Sequence, residues 1–502
     1  MKLRELAGLL ATARTYGDME VEISGFSMHT QTLRPGELFV CVSGIPGFQE
    51  DRHPFAGEAV RLGAAAIVAE REVGLDVPTV VVPDARYVMA VMACHYYGYP
   101  SERMKLIGVT GTKGKTTAAH MIETILSLAG NRTGLMGNLG TKIGGKTAES
   151  TTNTQEPHRL QANLSLMEQA RTEYAVMEVT SQGIAMGRVL GCEFRTAVFT
   201  NLTHDHLDFH GTMEAYRHAK GLLFSWLGSG FAADPEKRTF AILNADDQAS
   251  DYFRSVTAAQ VITYGIKAQA DVRAEGVKLK NGGTAFELVT FAGTVNVKLR
   301  MVGLFNVYNA LAAAACALAE HTPLPTVRKG LEQLEGVPGR MEVVDEGQSF
   351  LVLVDYAHTP DSLDNALSTV KQFAEGQVIT VFGCGGDRDR TKRPVMGKIA
   401  STYSDRIMVT SDNPRSESPE AILQEIERGL VEGGADSSRY ELIADRREAI
   451  RRAIGLAGAG DVVVIAGKGH ETYQITGGST VHFDDREEAR LAIREEAGSQ
   501  MP

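Results

Sequence analysis

Short apolar runs recur along this chain, and many of them end in a cluster of glycines and polar residues. In the last third, Phe350–Val354 leads into DYAHTPD and Val378–Phe382 into GCGGDRDR. Ile407–Thr410 leads into SDNPR, and Val462–Ala466 into GKGHE. Stretches with helical spacing, such as Asp361–Phe373 and Pro419–Val431, separate them. Strand alternating with helix predicts a parallel sheet. Ligands of such sheets gather outside the carboxyl ends of the strands, where these four clusters fall. The same grammar appears earlier. Leu106, Ile107 and Val109 form a short buried run, Gly108, Gly111 and Gly114 allow a tight turn, and Lys115-Thr116-Thr117 open a helix through Ala118–Leu128.

The first hundred residues predict a small α/β domain. Glu37–Val42, Ala65–Ala69 and Thr79–Val82 are β-rich runs, and Phe55–Leu62 reads as a helix. Tyr99-Pro100-Ser101 reads as a linker, and Pro323, Pro325 and Gly336–Gly339 mark a second boundary. Three α/β domains are therefore expected: 1–101, a central one at 102–336 around the glycine turn, and a Rossmann-like one at 337–502.

Composition narrows the partners. A formal net charge of −11 argues against a general nucleic-acid binder, which needs a basic face. The five cysteines are scattered without a C-x-x-C pair and read as reduced thiols of a cytoplasmic protein. The N-terminus does not read as a signal peptide, and no apolar run is long enough to span a membrane.

The chemistry starts at the turn. Strand, glycine-rich turn and helix N-terminus make a phosphate cradle. Lys115 would reach the terminal phosphates, and the Thr116 hydroxyl would join a Mg²⁺ shell. The strict G-x-x-x-x-G-K-T spacing asks for glycine at 109, where this chain has Val109, so the loop is a variant. A glycine-rich turn without a ligand is the competing reading. Tyr174–Val179 is a buried strand carrying Glu178 near its end, where a nucleotide-bound Mg²⁺ is commonly held. Ala197–Asn201 feeds the loop HDHLDFH, with His204, Asp205, His206, Asp208 and His210 in seven residues. That density suits a metal or phosphate site. Zinc stays open, but beside a phosphate loop Mg²⁺ with His206 as a ligand is favoured. Lys220 lies on the helix Met213–Leu223, where a lone lysine usually faces solvent. Met301–Ala319 reads as an alanine-rich helix with Asn306 and Asn309 near its start.

In order along the chain, GTKGKTT (111–117), MEVTSQG (177–183), FTNLTHDHLDFHG (199–211), Ala219-Lys220, GLFNVYNALAA (303–313), PGRME (338–342), DYAHTPDSL (355–363), GCGGDRDRTKRP (383–394), DNPR (412–415) and GKGHE (467–471) resemble the Mur ligase family. The resemblance covers nearly the whole chain. It implies an ATP-dependent ligase that activates the D-glutamate γ-carboxylate of UDP-N-acetylmuramoyl-L-alanyl-D-glutamate as an acyl phosphate, for attack by an amino acid. DNPR is similar to the motif of members that use meso-2,6-diaminopimelate. A monomer of three domains is implied, binding UDP-sugar, ATP and amino acid in turn.

By this resemblance, Gly111, Thr112, Lys113, Gly114, Lys115, Thr116 and Thr117 would hold ATP, with Asn306, Arg340, Asp355 and His358. Thr116, Glu178, His206 and a carbamylated Lys220 would hold Mg²⁺, and Lys115, Glu178, His206 and Lys220 form the catalytic set. Thr30, Thr152, Asn153, Thr154, Thr180, Met186 and Arg188 would face the UDP-dipeptide. Arg388, Asp412, Asn413, Pro414, Arg415, Gly467 and Glu471 would face diaminopimelate. Arg388 and Arg415 suit carboxylates, which guanidinium binds in bidentate fashion. Asp412, Asn413 and Glu471 suit the distal ammonium.

Departures from the family pattern cluster on the acceptor side. His29-Thr30-Gln31 stands where D-S-R is usual, Asn153-Thr154-Gln155-Glu156 where T-T-P-E is usual, and Thr180-Ser181-Gln182 where S-S-H is usual. Met186 replaces a glutamine, and in the phosphate loop Lys113 replaces an asparagine. A paralogous ligase with another carboxylate acceptor is therefore a second reading, and a non-catalytic nucleotide-binding protein a third.

Overall fold

A computed structural model describes residues 1–150, 152–228, 234, 237–280 and 282–499; the few remaining positions of the expected central and last domains lie outside it. The fold is α/β throughout, with three main sheets. Its contacts form two compact units: Met1–Arg273 with Thr290–Ala292 and Asn309–Val327, and Ala274–Val289 with Gly293–Tyr308 and Arg328–Pro502.

The first unit carries two sheets. The smaller has the order Arg14–Tyr16, Thr79–Val81, Ala66–Ala69, Leu38–Cys41, Phe26–Ser27, with only the first strand antiparallel. Leu38–Cys41 and Ala66–Ala69 are buried on both faces, which explains their unbroken apolar reading. One face packs on Leu3, Leu6, Met89 and Met92, and the other on Ala56 and Ala59. Helix Ala85–Tyr96 starts at Asp84, whose carboxylate accepts the Arg86 and Tyr87 N–H groups. In the expected linker Tyr99 is exposed, while Pro100 and Ser101 are buried in the 3₁₀ turn Pro100–Arg103, and Ser101 Oγ accepts the Glu193 N–H at 3.2 Å.

The larger sheet is centred on Lys105–Thr110. Tyr174–Glu178 pairs with it on one side and Phe194–Phe199 on the other, both parallel. Thr133–Gly137 lies beyond the first, and Phe240–Asn244 and Gln260–Gly265 beyond the second. After Lys105–Thr110 the chain builds outward on one side and then returns to the other. The central strand is thus the switch point of the sheet, and a crevice opens at its carboxyl end. Gly108 lets Phe194 pack against the strand, since a Cβ there would come within 2.8 Å of its ring.

In the second unit the strand order is Glu342–Val343, Leu351–Asp355, Val462–Ala466, Val378–Phe382, Arg406–Val409, Tyr440–Leu442. All are parallel except the first. Leu363, Leu367, Ile422 and Ile426 cover one face, and Ile450, Ala453, Ala489 and Ile493 the other. Burying each leucine or isoleucine contributes about 1.5–3 kcal/mol, so these rows anchor the sheet. All four predicted strands end on the same edge, because parallel strands must.

Candidate active site

At the crevice of the first unit, two glycines make the loop possible. Gly111 (φ 148°) would drive a Cβ into Thr200 Oγ1, and Gly114 (φ 84°) into Asn309 Oδ1. Asn201 holds the loop from the neighbouring strand end: its carbonyl accepts the Thr112 N–H at 2.8 Å and its Oδ1 the Lys113 N–H at 2.9 Å. Helix Lys115–Leu128 starts here and aims its N-terminus into the crevice. Lys115 Nζ folds back to donate to the carbonyls of Gly111 and Thr112, each at 2.9 Å. Lys113 Nζ lies 3.4 Å from Asp205. Thr116 and Thr117 are buried under the loop.

Glu178 ends its strand 1% exposed. Its Oε1 accepts the Asn138 N–H at 2.8 Å, and its Oε2 accepts Asn153 Nδ2 at 3.2 Å. His206 takes a left-handed backbone (φ 55°) that starts the short helix Leu207–His210. Burial, together with Lys115 and Lys220, holds its imidazole pKa below the usual value, against the pull of Asp205. Lys220 does not face solvent. It is 1% exposed, its Nζ donates to the Gly111 carbonyl at 2.9 Å, and it sits 4.6 Å from the Tyr216 ring centroid. Burial, then Lys115, pushes its pKa well below that of an ordinary lysine, and Asp205 opposes them.

Tyr216 is the hub that the sequence did not reveal. Fully buried, its hydroxyl lies 3.1 Å from Thr112 Oγ1, and His206 and His210 pack on its ring at 5.9 and 5.1 Å. Burial pushes its phenol up to about 12. His210 Nε2 is 2.9 Å from Ser181 Oγ, and burial followed by Lys220 lowers the imidazole pKa to about 4.

Of the expected acceptor residues, Asn153, Thr154, Thr180 and Arg188 meet beside Glu178, and among the described residues Thr30, Thr152 and Met186 make no hydrogen bond to it. Thr154 Oγ1 donates to the Glu178 carbonyl at 3.0 Å and lies 3.1 Å from Thr180 Oγ1; Arg188 donates to the Thr154 carbonyl at 3.0 Å. Glu156 joins Arg188 (2.8 Å) and Arg86 (2.6 Å), and so ties this loop to the small sheet's helix. Gln155 replaces proline usefully: its Nε2 donates to Thr141 Oγ1 at 3.0 Å. Met186 is buried, Thr152 exposed, and Thr30 partly exposed in the turn Thr30–Thr32.

In the second unit, Asp412, Asn413 and Pro414 are buried after strand Arg406–Val409, and Arg415 is left-handed (φ 54°). Asn413 Nδ2 donates to Glu471 Oε2 at 3.1 Å, and Arg415 Nη1 to the Gly386 carbonyl at 2.8 Å. Burial and Asp412 raise the Glu471 pKa. Arg388 is exposed on the neighbouring loop, and Gly467 (φ 125°) is buried. Beneath them lies an ion pair missed by the sequence reading. Arg446 and Asp485 are both fully buried and bidentate at 2.7 Å, and Arg446 also donates to the carbonyls of Ser411 (3.3 Å) and Ala466 (3.0 Å). Those carbonyls immediately precede Asp412 and Gly467.

Four predicted nucleotide residues also lie in this unit. Arg340 stands 5.3 Å over the Tyr356 ring, and Asp355 Oδ2 accepts the Met341 N–H at 2.8 Å. His358 Nδ1 is 2.8 Å from the Tyr356 carbonyl, so that nitrogen carries the proton and Nε2 is the acceptor. Asn306 Nδ2 donates to the Val302 carbonyl at 2.9 Å.

The Mur ligase middle domain matches residues 109–317, and the Mur ligase, glutamate ligase domain matches 339–469. The UDP-N-acetylmuramoyl-L-alanyl-D-glutamate–2,6-diaminopimelate ligase of Geobacillus thermodenitrificans (strain NG80-2) is 51% identical over 495 residues, which cover 99% of this chain and 100% of that one. The chain belongs to the Mur ligase family. This Mur ligase is also similar to the like-named protein of Listeria monocytogenes serovar 1/2a, at 45% identity over 99% of this chain and all of the relative. A solved structure of a protein of the same name superposes with a TM-score of 0.69 at 33% identity, covering 99% of each chain.

Proposed function

We infer that this Mur ligase joins an amine of meso-2,6-diaminopimelate to the D-glutamate γ-carboxylate of UDP-N-acetylmuramoyl-L-alanyl-D-glutamate, in peptidoglycan precursor synthesis. The observation that carries the reading is the full-length match, at 51% identity, to a ligase of that name. The reading includes a cytoplasmic, monomeric enzyme built as the domains 1–101, 102–336 and 337–502.

A carboxylate oxygen attacks the γ-phosphorus of ATP, and the bond to ADP breaks. The diaminopimelate nitrogen then attacks the acyl phosphate carbon, the C–O bond breaks, phosphate leaves, and the amine gives up its proton. Such chemistry needs positioning and positive charge more than covalent work by the protein. Lys115, the amides of Gly111–Thr117 and the helix N-terminus supply that charge. Asn306, Arg340, Asp355 and His358 are assigned to the nucleotide as well. Thr30, Thr152–Thr154, Thr180, Met186 and Arg188 are assigned to the UDP-dipeptide.

The residues fit Mg²⁺. Glu178 offers a buried carboxylate, Thr116 a hydroxyl at the helix start, and His206 an imidazole whose pKa burial holds below the usual value. Among the described residues no three His, Cys, Asp or Glu side chains form a cage. Mg²⁺ commonly takes one or two protein oxygens and completes its shell with phosphates and water. When bound, it neutralises charge developing on the transferring phosphoryl group. Lys220, as its carbamate, would complete the set.

Phosphate release with each pair of acceptor and amine tests the reading. Turnover is expected only with the UDP-dipeptide and diaminopimelate together. Turnover with a different carboxylate acceptor would favour the paralogue reading, and none with any pair the non-catalytic one. Arg415→Ala should raise the diaminopimelate KM about 10²-fold, through a lost charge-assisted contact, with the ATP KM near normal.

The acceptor departures make a further prediction. His29-Thr30-Gln31 has neither the acid nor the arginine of D-S-R. Thr30→Ser with Gln31→Arg should therefore tighten UDP-dipeptide binding about tenfold, the scale of one charged contact, in a calorimetric titration. No binding at millimolar ligand in either protein would point to another acceptor.

A further inference from the structure

We propose that the hairpin of strands Tyr473–Thr476 and Ser479–His482, clasped by the buried Lys468, is the specificity-determining strut of the amine site. It fixes Asn413 and Arg415 in the orientation that selects an amine bearing a distal carboxylate. The proposal rests on the diaminopimelate reading above.

Asp412–Arg415 has no regular structure, yet its first three residues are buried. A buried loop must place its backbone and side-chain polar groups on partners. The hairpin supplies four of them. Gln474 Nε2 donates to the Asp412 carbonyl at 2.9 Å, and the Ile475 N–H to Asn413 Oδ1 at 3.0 Å. The Arg415 N–H donates to the Ile475 carbonyl at 3.0 Å, and the Gly477 N–H to the Arg415 carbonyl at 2.8 Å. The last two make a parallel bridge, Arg415 with Thr476. They hold Arg415 at φ 54°, a conformation that an arginine adopts only when its surroundings impose it. Released from the bridge, the backbone would relax to negative φ and carry the guanidinium away.

Lys468 locks the other half. Fully buried, its Nζ donates to Asn413 Oδ1 at 3.0 Å and to the Tyr473 carbonyl at 2.6 Å. Lys468 Nζ and the Ile475 N–H can only donate, so the Asn413 oxygen must face them and its NH₂ must face Glu471. The amide cannot flip while both donors are in place. Asp412 Oδ1 makes no hydrogen bond, with Lys468 Nζ 3.6 Å away, which keeps an acceptor ready for a substrate ammonium.

Register comes from the turn. Gly477 (φ 56°) and Gly478 (φ 81°) form a two-residue turn with both φ positive, pairing Thr476 with Ser479 and Ile475 with Thr480. A slip of one residue would turn the Ile475 N–H and C=O away from Asn413 and Arg415. Among the described residues the hairpin contributes none to the buried cores, so its role is local.

The test uses the full-length enzyme with Lys468→Met, which removes the clasp, and Gly478→Pro, which the turn cannot accept. In each, the diaminopimelate KM should rise about tenfold or more while kcat at saturation and the ATP KM stay within about threefold. The preference for diaminopimelate over L-lysine, read as a ratio of kcat/KM, should fall about tenfold or more. Amide hydrogen exchange gives a readout independent of activity: Arg415 and Ile475 should be protected in the wild type and exchange faster in both variants. A folded variant that keeps its diaminopimelate KM and its preference within about twofold would overturn the proposal. So would unchanged exchange at both amides, or an ATP KM that rises in step with that for diaminopimelate. A wild type without turnover on diaminopimelate, but with both amides protected, would remove the substrate reading and leave the strut in place.

Discussion

Lys115→Ala should lose about 10³-fold or more in kcat/KM, roughly 4 kcal/mol of transition-state stabilisation, while the protein stays folded. Two features set the size of the effect. Lys115 is the first residue of a fourteen-residue helix, and its partners in the described structure include the carbonyls of its own loop. Those contacts tether the ammonium where a terminal phosphate would replace the carbonyls as its partner. Because the loop is shaped by Gly111, Gly114 and Asn201, truncating Lys115 leaves that shape intact. The melting temperature should therefore move by no more than about 3 °C, the effect of under 1 kcal/mol in a chain of this size. Lys115→Arg should not restore the rate. A bulkier planar guanidinium cannot occupy the place of a compact ammonium inside the loop. Phosphate-release kinetics and a thermal melt check both halves, and turnover within tenfold of wild type in the alanine variant would falsify the phosphate-loop assignment.

Much of the architecture was legible because it is written locally. Four strands of the second unit coincide with the apolar runs to within a residue, since a strand buried on both faces must be apolar throughout and a parallel strand must end in a loop. The glycine turn was legible because its backbone angles at Gly111 and Gly114 favour glycine. Long-range contacts were not. Tyr216 reads as one aromatic on a helix, and nothing nearby in sequence says that His206, His210, Thr112 and Lys220 converge on it. Arg446 and Asp485 look like surface charges until the fold buries both, 39 residues apart. The alternation in Val272–Lys280, VRAEGVKLK, carries the signal of a half-exposed strand, and Asn281-Gly282-Gly283 after it is a turn signal in the sequence, but the run bears no chemical motif. Lys220 is the most instructive case. A lone lysine suggests solvent, yet helical spacing sets it on the buried stripe of Tyr216, Leu223 and Phe224. The small neighbours Ala219 and Gly221 are what permit the burial, and Gly221 lies against Tyr252, where a Cβ would meet the ring at 2.6 Å.

That burial yields the second large effect. Lys220→Ala should be nearly inactive, with a loss of about 10³-fold, and short carboxylic acids should restore part of the rate. An ammonium 1% exposed, next to the Lys115 cation, is costly to keep charged. Its depressed pKa means that the neutral amine is populated at lower pH than in an ordinary lysine, and the neutral amine is the form that adds CO₂. Addition forms an N–C bond, releases the amine proton and leaves a carbamate, which places an anionic oxygen pair where a cation stood. The single described hydrogen bond of Nζ, to the Gly111 carbonyl at 2.9 Å, can persist as a donation from the carbamate N–H. Acetate or propionate entering the space left by Lys220→Ala would present the same oxygen pair near Thr116 and His206, hence the rescue. Lys220→Arg would keep a cation there and should be neither active nor rescued. Magnetic resonance of wild-type enzyme with isotopically labelled bicarbonate should show one carbamate signal, absent from Lys220→Ala. A dead alanine variant that no acid rescues, with no such signal in the wild type, would return Lys220 to a structural role: a buried donor that fixes the Gly111 carbonyl and, through it, the start of the phosphate loop.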